Sequence, residues 1–271
     1  MSANPLRLAA LVQGYPVRPP FDVAAIGNLR LWYDVSDASF TTVAASVFGD
    51  SLKDITDKSG NHGQRWIVPP NSASAIIEQQ GGKNAAAFVS ATSVTFSNVV
   101  TNFNFMHQTA ANVFAVLKSP AHPLPGPNNS RRLLIGTAYF DYDVGFFLAL
   151  WDNGTESQAS VEACIGRGSS VSRVAKVDKR AIWPSSTWGV VHVATNPTTN
   201  TYADRLVITY GGQSYASNVD NHFVADSNST WDGRIDTTMN AGSLAELLIY
   251  DGAISVPASA VMSYLSAKWS I

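Results

Sequence analysis

The chain has 271 residues, a formal net charge of −2 and 14% charged residues, against roughly 25% in an ordinary soluble domain. Its polarity comes instead from 30 Ser, 18 Thr and 18 Asn. No basic excess answers a phosphate backbone and no apolar run approaches the ~18 residues of a membrane span, so neither nucleic-acid binding nor membrane insertion is expected.

Residues 1–27 read differently from the rest. Leu6, Leu8, Leu11, Val12 and Tyr15 are apolar or aromatic, and Pro16, Pro19 and Pro20 follow. Proline fixes φ and removes a donor, so the stretch is expected to be an extended arm that cannot form its own core. Two destinations fit it: packing across its own domain, or anchoring on a partner subunit through those five residues. The opening Met1-Ser2-Ala3-Asn4-Pro5 shows no basic segment ahead of an apolar one, so no secretory signal is expected.

From residue 28 to 271 the pattern is that of one β domain. Leu29, Leu31 and Tyr33 alternate with Arg30, Trp32 and Asp34. Short apolar runs then recur at Arg65–Val68, Ala85–Val89, Ser93–Phe96, Asn112–Leu117 and Arg132–Thr137. They continue at Val144–Trp151, Ser160–Ile165, Ser170–Val177, Trp188–Ala194, Arg205–Tyr210, Gln213–Ala216 and Leu244–Tyr250. Glycine pairs punctuate them, and Gly211-Gly212 between two runs predicts a two-residue hairpin. A weak helical turn is expected near Ala44–Gly49. The strong helix lies at the end, where Ser255 is the expected cap and Val261, Leu265 and Trp269 make one apolar stripe beside Tyr264. The expected fold is therefore an all-β, antiparallel jelly-roll β-sandwich with a C-terminal helix packed on it and an extended N-terminal arm.

Four stretches share a further pattern. Leu29-Arg30-Leu31-Trp32-Tyr33-Asp34 runs into Ser36-Asp37-Ala38-Ser39, and Ile55-Thr56-Asp57-Lys58-Ser59-Gly60-Asn61 follows. Near the end stand Ala245-Glu246-Leu247-Leu248-Ile249-Tyr250-Asp251 and Tyr264-Leu265-Ser266-Ala267-Lys268-Trp269-Ser270-Ile271. This set resembles the concanavalin A-like lectin/glucanase superfamily, specifically the laminin-G-like jelly-roll domains of phage structural and bacterial surface proteins. The pattern departs at Ser270, where those domains usually carry Gly. Most of these residues are expected to serve folding: Asp57 to Asn61 as an Asx/Gly turn, Glu246 as a partner for that turn or for Lys268, and Trp32 and Trp269 as large buried surfaces.

Catalytic chemistry is poorly represented. Enzymes of the resembled superfamily carry Glu-x-Asp-x-Glu, because strand neighbours two apart share a face and retaining hydrolysis needs two close carboxylates. The chain has only Glu78, Glu156, Glu162 and Glu246, and none begins that motif. No enzyme activity is expected. The five histidines lack zinc-ligand spacing, and His192 reads as a satisfied face or core residue. The lone Cys164 forbids an internal disulfide and reads as a small buried hydrophobe. No cofactor is expected. Asp141 and Asp143 could share a face, and Ca²⁺ is the ion such oxygens would take, although such a pair is more often a solvated turn.

Sugar recognition remains, since aromatic faces with Asn, Asp and Ser hydrogen bonds suit it. Trp151, Trp183, Trp188 and Trp231 are candidates, and Trp183, Trp231 and Asp232 are the ones expected at the surface, Trp183 because a Pro-Ser-Ser turn follows it. The resemblance implies a non-enzymatic structural protein of a phage or phage-like particle: a head decoration, a fibre or a tail receptor-binding component on the virion surface. Its expected partners are capsid or tail proteins, further copies of itself in a symmetric oligomer, and host surface polysaccharide. A stand-alone lectin-like carbohydrate-binding module is the alternative, and a glucanase-like glycoside hydrolase the third reading.

Overall fold

A computed structural model describes residues 21–46, 49–60, 65–67, 75–88, 94–98, 103–119, 130–138, 144–152, 158–166, 173–217, 236–239 and 242–271. Seventeen strands run through them: β1 Leu29–Asp34, β2 Thr41–Ser46, β3 Gly49–Thr56, β4 Arg65–Ile67, β5 Ala75–Gln80, β6 Lys83–Phe88, β7 Val94–Asn98, β8 Ala111–Lys118 and β9 Ser130–Gly136. The set continues with β10 Gly145–Asp152, β11 Gln158–Gly166, β12 Arg173–Pro184, β13 Trp188–Thr195, β14 Leu206–Tyr210, β15 Gln213–Ala216, β16 Asp236–Met239 and β17 Ser243–Asp251. The 3₁₀ turn Val23–Ile26, two one-turn helices, Phe105–Gln108 and Tyr202–Arg205, and the closing helix Ala258–Trp269 complete the described set.

Every strand pairing among the described residues is antiparallel. One run of neighbours is β1, β17, β8, β13, β14 and β15. The other is β2, β3, β4, β7, β16, β9, β10, β11 and β12. The β5–β6 hairpin bridges them, through β6 to β17 and β5 to β3. The expected antiparallel jelly-roll β-sandwich with its C-terminal helix is the fold found.

Period-two alternation gives the first run two buried faces. Its inner residues, among them Leu31, Tyr33, Val113, Leu117, Val191, Ile208, Leu247 and Ile249, meet Phe146, Leu148, Val161, Ile165 and Trp183 of the other run in the main core. Each such side chain contributes about 1.5–3 kcal/mol on burial. Its outer residues Phe114, Val116, Leu248 and Tyr250 lie under Val261, Leu265 and Trp269, the predicted stripe of the helix. Phe21, Val23 and Ile26 join this second layer, with Phe21 packed 5.2 Å from Tyr264 between ring centroids.

Several expectations are corrected here. The arm was expected to run to residue 27, yet residues 21–27 belong to the domain: Val23–Ile26 is a 3₁₀ turn capped by Asp22, and Val23 and Ile26 are buried. Of the residues near the expected helical turn, the described ones are strand: Ala44–Ser46 end β2 and Gly49 opens β3, with Ser46 opposite Gly49 in the ladder. Pro257, not Ser255, is the helix cap residue, and the Ser255 hydroxyl donates to the Ile26 carbonyl instead, at 2.7 Å. The Gly211-Gly212 hairpin is as predicted, with both glycines at positive φ and Tyr210 opposite Gln213. Ser270 occupies the left-handed region at φ 55°, the conformation that favours the glycine of the resembled pattern.

Candidate functional site

The four sequence stretches that carried the resemblance meet beneath the closing helix. Asp57 Oδ1 accepts from the Trp32 amide at 2.9 Å and from Ser59 N at 2.8 Å, which makes the expected Asx turn and ties it to β1. Glu246 on β17 is fully buried and accepts three bonds: Trp32 Nε1 at 2.8 Å, Trp269 Nε1 at 2.7 Å and Lys268 Nζ at 2.6 Å. Lys268 also reaches Asp34 at 2.7 Å, and Lys58 spans Asp34 at 3.2 Å and Asp37 at 2.7 Å. The Lys58 ammonium sits 4.3 Å from the Trp32 ring centroid.

The ionisations follow from this packing. Burial pushes the Asp34 carboxyl up, but the charge and hydrogen bond of Lys268, with Ser36 and Lys58, turn the net direction downward. Burial lowers Lys268, yet Glu246 and Asp34 hold it above the ordinary lysine value. Lys58 is held up likewise by Asp37 and Asp34. Burial and the Asp34 charge push Glu246 up against Lys268 and Trp269. The acceptors of this cluster are engaged by its own donors, so it works as a clasp joining four distant segments.

The tryptophans settle differently from expectation. Trp183 was expected at the surface and is fully buried. Its ring stacks on Tyr210 at 4.4 Å, and its Nε1 donates to the Thr187 carbonyl at 3.0 Å. The turn after it folds back, with Thr187 Oγ1 donating to the Pro184 carbonyl at 2.7 Å and Ser119 Oγ bonded to that carbonyl too. The proline thus ends the strand without freeing the ring. Trp231 and Asp232, Asp141 and Asp143, and Leu6, Leu8, Leu11, Val12 and Tyr15 lie outside the described residues.

Five residues after Trp183, Trp188 stands on the opposite, outer face and is half-buried. It pairs in register with Lys118, whose ammonium lies 5.9 Å from its ring centroid and 2.9 Å from Glu78. Glu78 Oε1 is buried without a hydrogen-bond partner. Trp188, Val190, Met262, Ser266, Ile271 and the Gly211-Gly212 turn line a groove of ≈ 250 Å³. An indole and, beside it, a paired cation and anion therefore share the outer sheet face, and the Ser266 hydroxyl of the helix lines the groove next to the indole. Sequence alone placed Trp183 ahead of Trp188; the signal that reverses them is the strand face each occupies.

The remaining candidates are structural. Cys164 is buried against Phe147 and Ala149. His192 is stacked on Phe114 at 4.4 Å, and burial lowers its pKa to about 4. Asn112 Nδ2 donates to the Gly252 carbonyl, so Asn112 Oδ1 faces His192 Nε2 at 2.8 Å and fixes Nε2 as the protonated nitrogen. Glu162 is fully buried within β11. Among the described residues no group of three or more His, Cys, Asp or Glu is placed to hold a metal ion.

No family model and no curated protein matches the chain. Solved structures do. A botulinum neurotoxin serotype D binding domain superposes with a TM-score of 0.52 at 11% identity, over 90% of this chain and 51% of that one. A receptor binding domain of botulinum neurotoxin D gives 0.50 at 11%, over 89% and 53%. A GH54 α-L-arabinofuranosidase soaked with 4-nitrophenyl α-L-arabinofuranoside gives 0.52 at 14%, over 81% and 51%. The chain spans about half the length of these solved chains, and the likeness is one of fold.

Proposed function

We propose that the chain is a non-enzymatic, glycan-binding β-sandwich module whose platform is the Trp188 surface. The observation that carries this is the half-buried indole beside the Lys118–Glu78 pair on a rigid sheet. A sugar ring lays its C–H face on an indole while its hydroxyls reach charged and hydroxyl groups at the rim. The neighbouring folds support the binding part of the reading in kind: two are binding domains, one of them for a receptor. A glycan array on the intact chain, repeated with Trp188→Ala, tests it. Binding that Trp188→Ala removes while the unfolding temperature holds is the expected result; a silent array, or binding indifferent to Trp188, overturns it.

We further propose that the module works on the surface of a phage or phage-like particle, joined by residues 1–20 to a capsid or tail protein and repeated as a symmetric oligomer. The support is the motif resemblance, whose residues form the clasp around Glu246. Truncation tests the attachment, and the cut belongs after residue 20, because Val23 and Ile26 are part of the outer layer. The shortened chain is expected to fold and to fail to join particles; full occupancy without the arm would refute the tether.

A further inference from the structure

A second concavity lies against the β5–β6 hairpin, away from the Trp188 groove. Strand alternation sends Glu78 to the outer face, and its neighbours Ile77 and Gln79 the opposite way. There they meet Val35, Ala38, Thr41, Val43 of β2 and Asp50 of β3 in a groove of ≈ 460 Å³, and Asn84 of β6 completes the wall. The volume falls within the range of small-ligand sites, roughly 300–1,000 Å³.

The lining divides in two. Val35, Val43 and Ile77 supply an aliphatic surface, with Val35 buried and Val43 among the exposed large hydrophobics. Thr41, Asp50, Gln79 and Asn84 supply hydrogen-bonding groups. Gln79 and Asn84 face each other across the hairpin, and Gln79 Nε2 donates to Asn84 Oδ1. That leaves the Asn84 amide as a donor and the Gln79 carbonyl as an acceptor.

The charge pattern narrows the ligand. Among the described residues Asp50 is the one formal charge on the groove wall and no Lys or Arg lines it, so an acidic sugar or a phosphate meets repulsion. One carboxylate falls far short of the six to eight oxygens that Ca²⁺ takes. A neutral ring with an apolar C–H face and several hydroxyls satisfies both halves of the lining. We infer that this groove is a second saccharide site, independent of Trp188 and selective for neutral sugars. The inference rests on the glycan reading for its ligand class and on the groove's own geometry for its place.

Amide-resolved NMR titration of the intact chain tests it, with neutral tetrasaccharides of glucose, galactose and mannose and with tetragalacturonate as probes. A neutral probe is expected to shift the amides of Thr41, Asp50, Ile77, Gln79 and Asn84. Asp50→Ala is expected to weaken those shifts about tenfold, Asn84→Ala severalfold, and Trp188→Ala not at all. Asp50→Asn, which keeps the volume, is expected to weaken them severalfold and covers the case in which Asp50→Ala does not fold. Shifts confined to the Trp188 surface, groove shifts that vanish with Trp188→Ala, equal response to tetragalacturonate, or silence from every probe each overturn the inference. Groove shifts without any at Trp188 would instead overturn the Trp188 platform and leave this site standing.

Discussion

The two faces of β17 are held by different physics. Its inner face sends Leu244, Leu247 and Ile249 into a layer of apolar contacts. Its outer face sends Leu248 and Tyr250 under the helix together with Glu246, which is as deeply buried as they are and fully hydrogen-bonded. Apolar area is the main support of the inner layer, where hydrophobic side chains of matching volume pack. The outer layer must orient one helix, one turn and two strands relative to each other: directional bonds to Glu246 tie the helix and β1 to β17, and those of Asp57 and Lys58 tie the turn to β1. The difference is one between filling space and setting register.

The largest expected effect separates the two directly. Glu246→Ala leaves Lys268 and two indole N–H groups short of an acceptor, and should cost about 3–5 kcal/mol in denaturant unfolding. A loss near that of a surface substitution would remove the distinction between the faces. Gly189→Ala probes the inner layer: its new Cβ would stand 2.6 Å from Tyr210 Cε2 and 3.2 Å from Trp183 Cζ2. Overpacking there should cost about 1–3 kcal/mol, with no change in the pH dependence of stability.

That pH dependence belongs to the outer layer. His192 has its pKa lowered by burial from 6.5 to about 4, so the unfolded chain binds the proton more readily and stability falls as pH drops through that window. Asp34 and Asp37 are lowered from 3.8, so their contribution is whole above that value and is lost only as pH falls through their lowered folded values. Urea titrations are expected to show two acid limbs, His192→Gln flattening the upper one and Asp34→Asn the lower. One unbroken limb in both variants would assign the acid response elsewhere. The smallest effect is favourable: Ser270→Gly relieves a left-handed residue at the helix end and should stabilise by about 0.5–1 kcal/mol, read as a small rise in Tm.

Most of the strand rhythm was legible in the chain. Ala111–Lys118, Gly145–Asp152 and Trp188–Thr195 lie within a residue or two of their apolar runs, because a strand buried on one or both faces must write its burial into its side chains. Thr41–Ser46, Ala75–Gln80 and Asp236–Met239 were missed, for they carry few of the large apolar residues that mark a strand. The site was less legible. A tryptophan beside a proline turn reads as exposed, yet the fold-back onto Ser119 that keeps Trp183 inside involves a residue 65 positions from Pro184.

By itself the sequence determined what local chemistry specifies: antiparallel strands by alternation, the hairpin at Gly211-Gly212, the Asx turn at Asp57, and a helix with one apolar stripe. Only the tertiary structure decided which of Trp183 and Trp188 faces outward, that Asp34, Lys58, Glu246 and Lys268 form one clasp, and that Ile77, Gln79 and Asn84 of the β5–β6 hairpin close a groove with β2 and β3. Periodicity says that neighbours alternate; which face is inward depends on what the rest of the chain lays against it.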